Sequence, residues 1–183
     1  KYDRVVDDLS RFPGAKWFVG SRLNFAENLL RYKDDHLAFV FRGETEKNAR
    51  LSYAELYQVA ARLAESLRKL GVKQGDRVAA YMPNLMETAT AMLATTSIGA
   101  IWSSCGSELG PVAVLDRLSQ IEPKVLFTVD GYPYKGKTFD FLPNAEKIAK
   151  ELPSLKKVVV VPYMKTKPDL GNIPRSVLYT DFL

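Results

Sequence analysis

The sequence predicts an α/β domain with a mostly parallel sheet and helices on both faces. Three observations predict it. From residue 37 onward, short apolar runs alternate with stretches whose apolar residues recur at three and four positions. That alternation builds βαβ units. Gly71, Pro83, Gly99 and Pro123 fall between the runs, where turns are needed. Val158–Val161 is a run of four valines, as expected of a strand buried on both faces.

The elements follow in order. Residues 1–35 read as a leader segment, with a short helical pattern at Val5, Val6 and Leu9 and a turn at Phe12-Pro13-Gly14. Such a segment is expected to wrap over a larger body, because it cannot form a core alone. Leu37–Phe41 and Ala49–Leu51 read as a hairpin around a polar turn, Gly43 to Asn48. Ser52 and Glu55 form a capping box, from which a helix runs to Gly71. Strands are predicted at 76–81, 100–103, 124–129 and 157–161. Helices are predicted at 85–97, 112–121 and 139–152, with loops at 106–110 and 130–138. Ligands of such sheets sit beyond the carboxyl ends of the strands.

Composition sets the class. A chain of 183 residues with 46% apolar and 26% charged residues is globular, with enough length for a core of its own. The single cysteine, Cys105, excludes an internal disulfide and favours a reducing compartment, the cytosol. Residues 124–183 carry +4 of the formal +5 charge, with ten Lys/Arg against six Asp/Glu. That excess suits an anionic ligand and is too dilute for a nucleic-acid surface. Thr88–Ser107 has no charged residue, but eight of its twenty residues are Ser or Thr, so it reads as buried helix and strand and not as a membrane span.

Among possible sites, Gly131–Thr138 matches the letters of a P-loop, G-x-x-x-x-G-K-T. Pro133 lacks the N–H such a loop would aim at phosphate, and Tyr132 and Tyr134 are bulky where the loop must curl. The valine strand also ends in Pro162-Tyr163, where a metal-holding Asp would be needed. Lys135 and Lys137 then suit either a solvated basic turn or an anion-binding loop of another kind. Cys105 reads as a core residue, and His36, the one histidine, as a surface residue before a strand. The sequence contains neither a G-x-G-x-x-G dinucleotide fingerprint nor a G-x-S-x-G elbow.

Three segments resemble the adenylate-forming acyl-CoA synthetases. They are Phe12–Leu30, with its Trp17, Gly20 and Leu23-Asn24; Leu70–Asn84; and Gly99–Cys105 continued by Leu115–Leu118 and Gln120–Phe127. The Trp102–Cys105 and Gln120–Lys124 strings point to the acetoacetate branch over the acetate branch. The resemblance implies that residues 36–183 are the first α/β part of an incomplete AMP-binding domain. It implies a protein that activates acetoacetate with ATP and passes it to coenzyme A, with Mg²⁺. The expected phosphate loop, metal carboxylate and adenylation lysine do not occur in this stretch, so the chain is expected to be an N-terminal fragment that is inactive alone. In related acetyl-CoA synthetases two loops contact the nucleotide end of coenzyme A. Here they correspond to Gly106 and Ser107, and to Tyr134, Lys135, Gly136 and Lys137. The acetate branch has arginines where this chain has Tyr134 and Lys137, and the acetoacetate branch usually reads Ser-Pro at Gly106-Ser107. Alternative readings are an acetyl- or other short-chain acyl-CoA synthetase, a P-loop NTPase, and a non-catalytic coenzyme A-binding module.

Overall fold

The computed structural model describes residues 1–45 and 48–183. The leader begins with an antiparallel ribbon of β1 (Arg4–Val6) and β2 (Trp17–Val19). The expected helical pattern at Val5, Val6 and Leu9 is therefore not a helix. Asp7 accepts the N–H of Lys16 at 2.8 Å and Asp8 accepts that of Ser10 at 2.9 Å, which turns the chain back before a helical turn can close. Phe12, Trp17 and Leu23 remain exposed. Helix α1 (Phe25–Leu29) follows, capped by the Asn24 side chain. Asn24 Nδ2 also donates to the carbonyls of Thr96 and Ser97 at 3.0 and 3.3 Å, tying the leader to the body.

Strands β3 (Leu37–Arg42) and β4 (Asn48–Ser52) form the expected hairpin. Residues 46 and 47 of its turn lie outside the described residues. Helix α2 (Tyr53–Lys69) starts on the Ser52/Glu55 capping box and stops at Gly71, whose φ of 84° suits glycine. Then come β5 (Arg77–Tyr81), α3 (Met86–Ser97), β6 (Ile101–Cys105), α4 (Pro111–Ile121) and β7 (Val125–Val129). The chain continues through β8 (Gly131–Tyr134), β9 (Lys137–Asp140), α5 (Leu142–Glu151), β10 (Lys157–Val161), β11 (Ser176–Leu178) and α6 (Tyr179–Phe182).

Five strands form one parallel sheet in the order β11-β10-β7-β5-β6. The chain steps outward from β5 to β6, then crosses back over β5 to β7 and on to β10. Right-handed crossovers therefore place α3 and α4 on opposite faces, and α5 on the face of α4. Every residue of β7 and the four valines of β10 are buried, as the valine run predicts. A second, smaller apolar cluster joins Ala26, Leu30, Leu56, Ala60 and Leu93 beneath the β3–β4 hairpin.

Two segments differ from expectation. Residues 130–138 are not a loop: β8 and β9 form an antiparallel hairpin in which Tyr132 faces Phe139 and Pro133 faces Thr138. This pairing holds Phe139 and Asp140 in a strand, so the following helix starts at Leu142, with Pro143 in its first turn. Beyond β10, the short β11 extends the sheet and α6 follows it, and no sequence pattern marks either.

The amino ends of the strands are clamped by a part-buried ion pair. Lys124 Nζ donates to Asp76 Oδ2 at 2.6 Å, and the Lys73 N–H reaches the same oxygen at 2.7 Å. The Lys124 hydrogen bond holds the Asp76 carboxyl below the usual range, against the opposing effect of burial. As pH falls, the unfolded chain takes up this proton before the folded one does, so stability declines. The contribution is whole above the unfolded value of about 3.9 and is lost as pH falls through the lower folded value. Asp76→Asn is expected to lower stability at pH 7 by about 1.5–3 kcal/mol and to flatten the acid limb of the stability curve. Urea titrations of both proteins from pH 7 to pH 3 check this; parallel curves would contradict it.

Candidate functional site

The sheet's strand order reverses around β5, with β6 on one side and β7, β10 and β11 on the other. At such a switch point, loops leave neighbouring strands in opposite directions and open a crevice. A cleft of about 620 Å³ lies there, lined from five directions. Pro83 and Asn84 follow β5, Ser107 and Glu108 follow β6, Tyr132 and Tyr134 belong to the hairpin after β7, and Tyr163 follows β10. The β3–β4 hairpin closes the last side with Phe41, Arg42 and Glu44.

Each wall has its own support. Thr88 Oγ1 donates to the Pro83 carbonyl at 2.8 Å, fixing the loop after β5. Asp130, buried at the end of β7, accepts the N–H groups of Tyr163, Met164 and Lys165 at 2.7, 2.9 and 2.7 Å. Tyr163 is thereby brought to the cleft, where its ring meets that of Phe41 at 6.4 Å. Tyr132 and Phe139 stack across the β8–β9 hairpin with centroids 5.3 Å apart. Positive φ at Lys135 (50°) and Gly136 (72°) makes the tip a type I′ turn, the form that matches strand twist. Lys135 N–H donates to Glu44 Oε2 at 2.7 Å, which links the tip to the opposite wall.

The six residues singled out in sequence fall as follows. Ser107 and Tyr134 line the same cleft. Gly106 ends the β6 wall, with the Glu108 carboxylate folded over its Cα. Lys135, Gly136 and Lys137 stand exposed at the hairpin tip and on β9. The hairpin excludes the P-loop: Thr138 is paired with Pro133 on a strand, and α5 begins only at Leu142. Cys105 is buried and its thiol is pushed up by burial, as befits a core residue. His36 is exposed and its Nδ1 is engaged by Asp34.

Sequence reasoning missed Phe41, Glu44, Tyr132, Phe139 and Tyr163. Tyr132 and Phe139 carry one signal: alternating aromatics on either side of a short turn suit a hairpin. Glu44 and Tyr163 arrive from distant segments and carry none. Among the described residues, no group of three or more His, Cys, Asp or Glu side chains is arranged to hold a metal. Among those residues, too, no helix is long and apolar enough to cross a membrane.

The family model for AMP-binding enzymes matches residues 25–176. The chain belongs to the AMP-binding enzyme family. Among curated relatives, acetoacetyl-CoA synthetase of Macaca fascicularis is 48% identical over 187 residues, spanning 100% of this chain and 28% of the relative. Acetoacetyl-CoA synthetase of Danio rerio is 46% identical with the same coverage. The solved acetoacetyl-CoA synthetase from Streptomyces lividans superposes with a TM-score of 0.89 at 40% identity, covering 99% of this chain and 28% of that one. The chain thus spans 28% of the length of these relatives. The likeness includes the five-stranded sheet that positions the cleft of this AMP-binding family member.

The base of the hairpin gives a direct test of its packing. A Cβ on Gly131 would lie 2.6 Å from the Phe139 carbonyl oxygen and 3.1 Å from Met164 Cγ. Because the first of these is backbone, it cannot swing aside. Gly131→Ala is expected to destabilise the protein by about 1–3 kcal/mol and to displace the hairpin. Urea denaturation checks the first effect, and hydrogen exchange at β9 the second; unchanged stability and protection would contradict it.

Proposed function

We propose that the full-length protein is an AMP-forming acyl-CoA ligase that acts on acetoacetate, and that this chain supplies its contacts to the nucleotide end of coenzyme A. The observation that carries the reading is the convergence of Ser107 and Tyr134 on one switch-point cleft beside the Lys135–Lys137 tip. The names of the relatives support the acid. The reaction has two halves. The acid's carboxylate attacks ATP at its α-phosphorus, giving an acyl-adenylate and releasing pyrophosphate. The thiol of coenzyme A then attacks the acyl carbon, giving the thioester and releasing AMP.

In this reading coenzyme A, when bound, supplies the thiol, and the chain's residues hold its far end. Tyr132, Tyr134, Phe139 and Tyr163 offer flat apolar faces to a purine ring. Glu44 and Glu108 make the inner cleft unfavourable for phosphate. Lys135 and Lys137 stand outside it, as point charges where phosphates would reach the rim. The single cysteine supports a cytosolic setting. The chain alone is expected not to form acyl-CoA.

The test uses the full-length protein with ATP, acetoacetate and coenzyme A, following acetoacetyl-CoA, AMP and pyrophosphate. The Lys135→Ala/Lys137→Ala double variant should raise KM for coenzyme A about 5- to 30-fold, from two exposed contacts of about 0.5–1 kcal/mol each. The increase should shrink in high salt, because exposed charge pairs are screened. Pyrophosphate exchange without coenzyme A should keep its rate. An unchanged KM would overturn the assignment of the tip, and absence of product from acetoacetate would overturn the proposed acid.

A further inference from the structure

The loop between β6 and α4 carries Gly106 and Ser107, yet its own backbone closes only one turn, Leu109 N–H to the Gly106 carbonyl at 3.2 Å. Two tyrosines from other strands hold the rest. The Tyr132 hydroxyl, on β8, donates to the Ser107 carbonyl at 3.2 Å. The Tyr81 hydroxyl, at the end of β5, donates to the Leu109 carbonyl. Both rings pack on Phe141, with centroids 5.5 Å away for Tyr132 and 4.4 Å for Tyr81. Phe141 is 1% exposed and Tyr81 is fully buried, so this joint sits in the core. Ser107 therefore stands at a distance from Tyr134 that is set by two hydroxyls and one shared ring, not by its own loop.

We propose that Tyr132 and Tyr81 are positioning residues for coenzyme A: they fix the β6–α4 loop against the β8–β9 hairpin, so that both halves of the nucleotide site present together. This rests on the reading of the cleft given above. Tyr132 acts through the carbonyl of a cleft residue, and Tyr81 acts from behind the same loop. Tyr81 serves as a donor throughout the working pH range, because burial, with Tyr132 as the next cause, pushes its ionisation up to about 12. Neither hydroxyl is required by the sheet, since β5, β6 and β7 pair through backbone alone.

Tyr132→Phe keeps the stack on Phe139 and the contact with Phe141 and removes only the O–H donor. In the full-length protein it should raise KM for coenzyme A about 2- to 10-fold, the span expected for one net hydrogen bond. Tyr81→Phe, at a buried residue outside the cleft lining, should raise that KM over the same range. Its turnover at saturating coenzyme A and its pyrophosphate exchange without coenzyme A should stay near the parent values. Combining the two should give less than the product of the single effects, because both act on one loop. A general structural role would lower exchange and turnover together with the change in KM, and that result would overturn the proposal.

The Lys135→Ala/Lys137→Ala variant separates the two readings. If it raises KM for coenzyme A and Tyr132→Phe does not, the positioning role falls and the ligand assignment stands. If Tyr132→Phe raises KM and the lysine variant does not, the tyrosines hold the site and the lysines do not contact it. If neither variant moves KM, both readings fall.

Discussion

Where β7 ends, the chain must leave the sheet, build a hairpin and re-enter as a helix, while the loop after β10 passes beside it. The buried carboxylate of Asp130 organises this crossing. Its oxygens take three consecutive N–H groups from residues 163–165, its own N–H donates to the Val161 carbonyl, and its carbonyl receives the Phe141 N–H. A carboxylate removed from water needs such donors, because burial without them is costly by several kcal/mol. The backbone groups of the loop would likewise lack partners without the carboxylate. Each side of this arrangement satisfies the other. Through it, β7, β10, the hairpin and α5 share one fixed point, and Tyr163 and Phe141 take their places from it.

Sheet packing makes that point rigid. Ala79 and Ala80, which point to opposite faces of β5, and Ala91 and Ala94 on α3 are all fully buried. Strands β7 and β10 are covered on both faces, and the Asp76–Lys124 pair clamps the opposite ends of β5 and β7. The cleft thus stands on a frame whose two ends are held by different chemistry, ionic below and a buried carboxylate above.

Much of this frame was legible in sequence. The valine run, the capping box at Ser52 and the stop at Gly71 each state a local rule that the structure obeys. The β8–β9 hairpin was hidden because its turn is Lys135-Gly136, without the Asn or Asp that usually announces a type I′ turn, and because its letters imitate a nucleotide loop. Strands β1 and β11 are three residues each, too short for a period to show. Of the cleft, Ser107 and Tyr134 came from resemblance. Glu44 and Tyr163 came from no sequence signal, since long-range docking, not local pattern, brings them in.

The β8–β9 hairpin is a two-stranded sheet of its own, spliced between a core strand and a core helix. Lys137, Thr138 and Asp140 of β9 are exposed, while Phe139 stacks on Tyr132 and Gly131 and Phe141 carry the packing at the base. Its outer residues are thus free to vary with little effect on the folding of the sheet beneath. A lineage could exchange tip residues while the parallel sheet beneath is inherited unchanged.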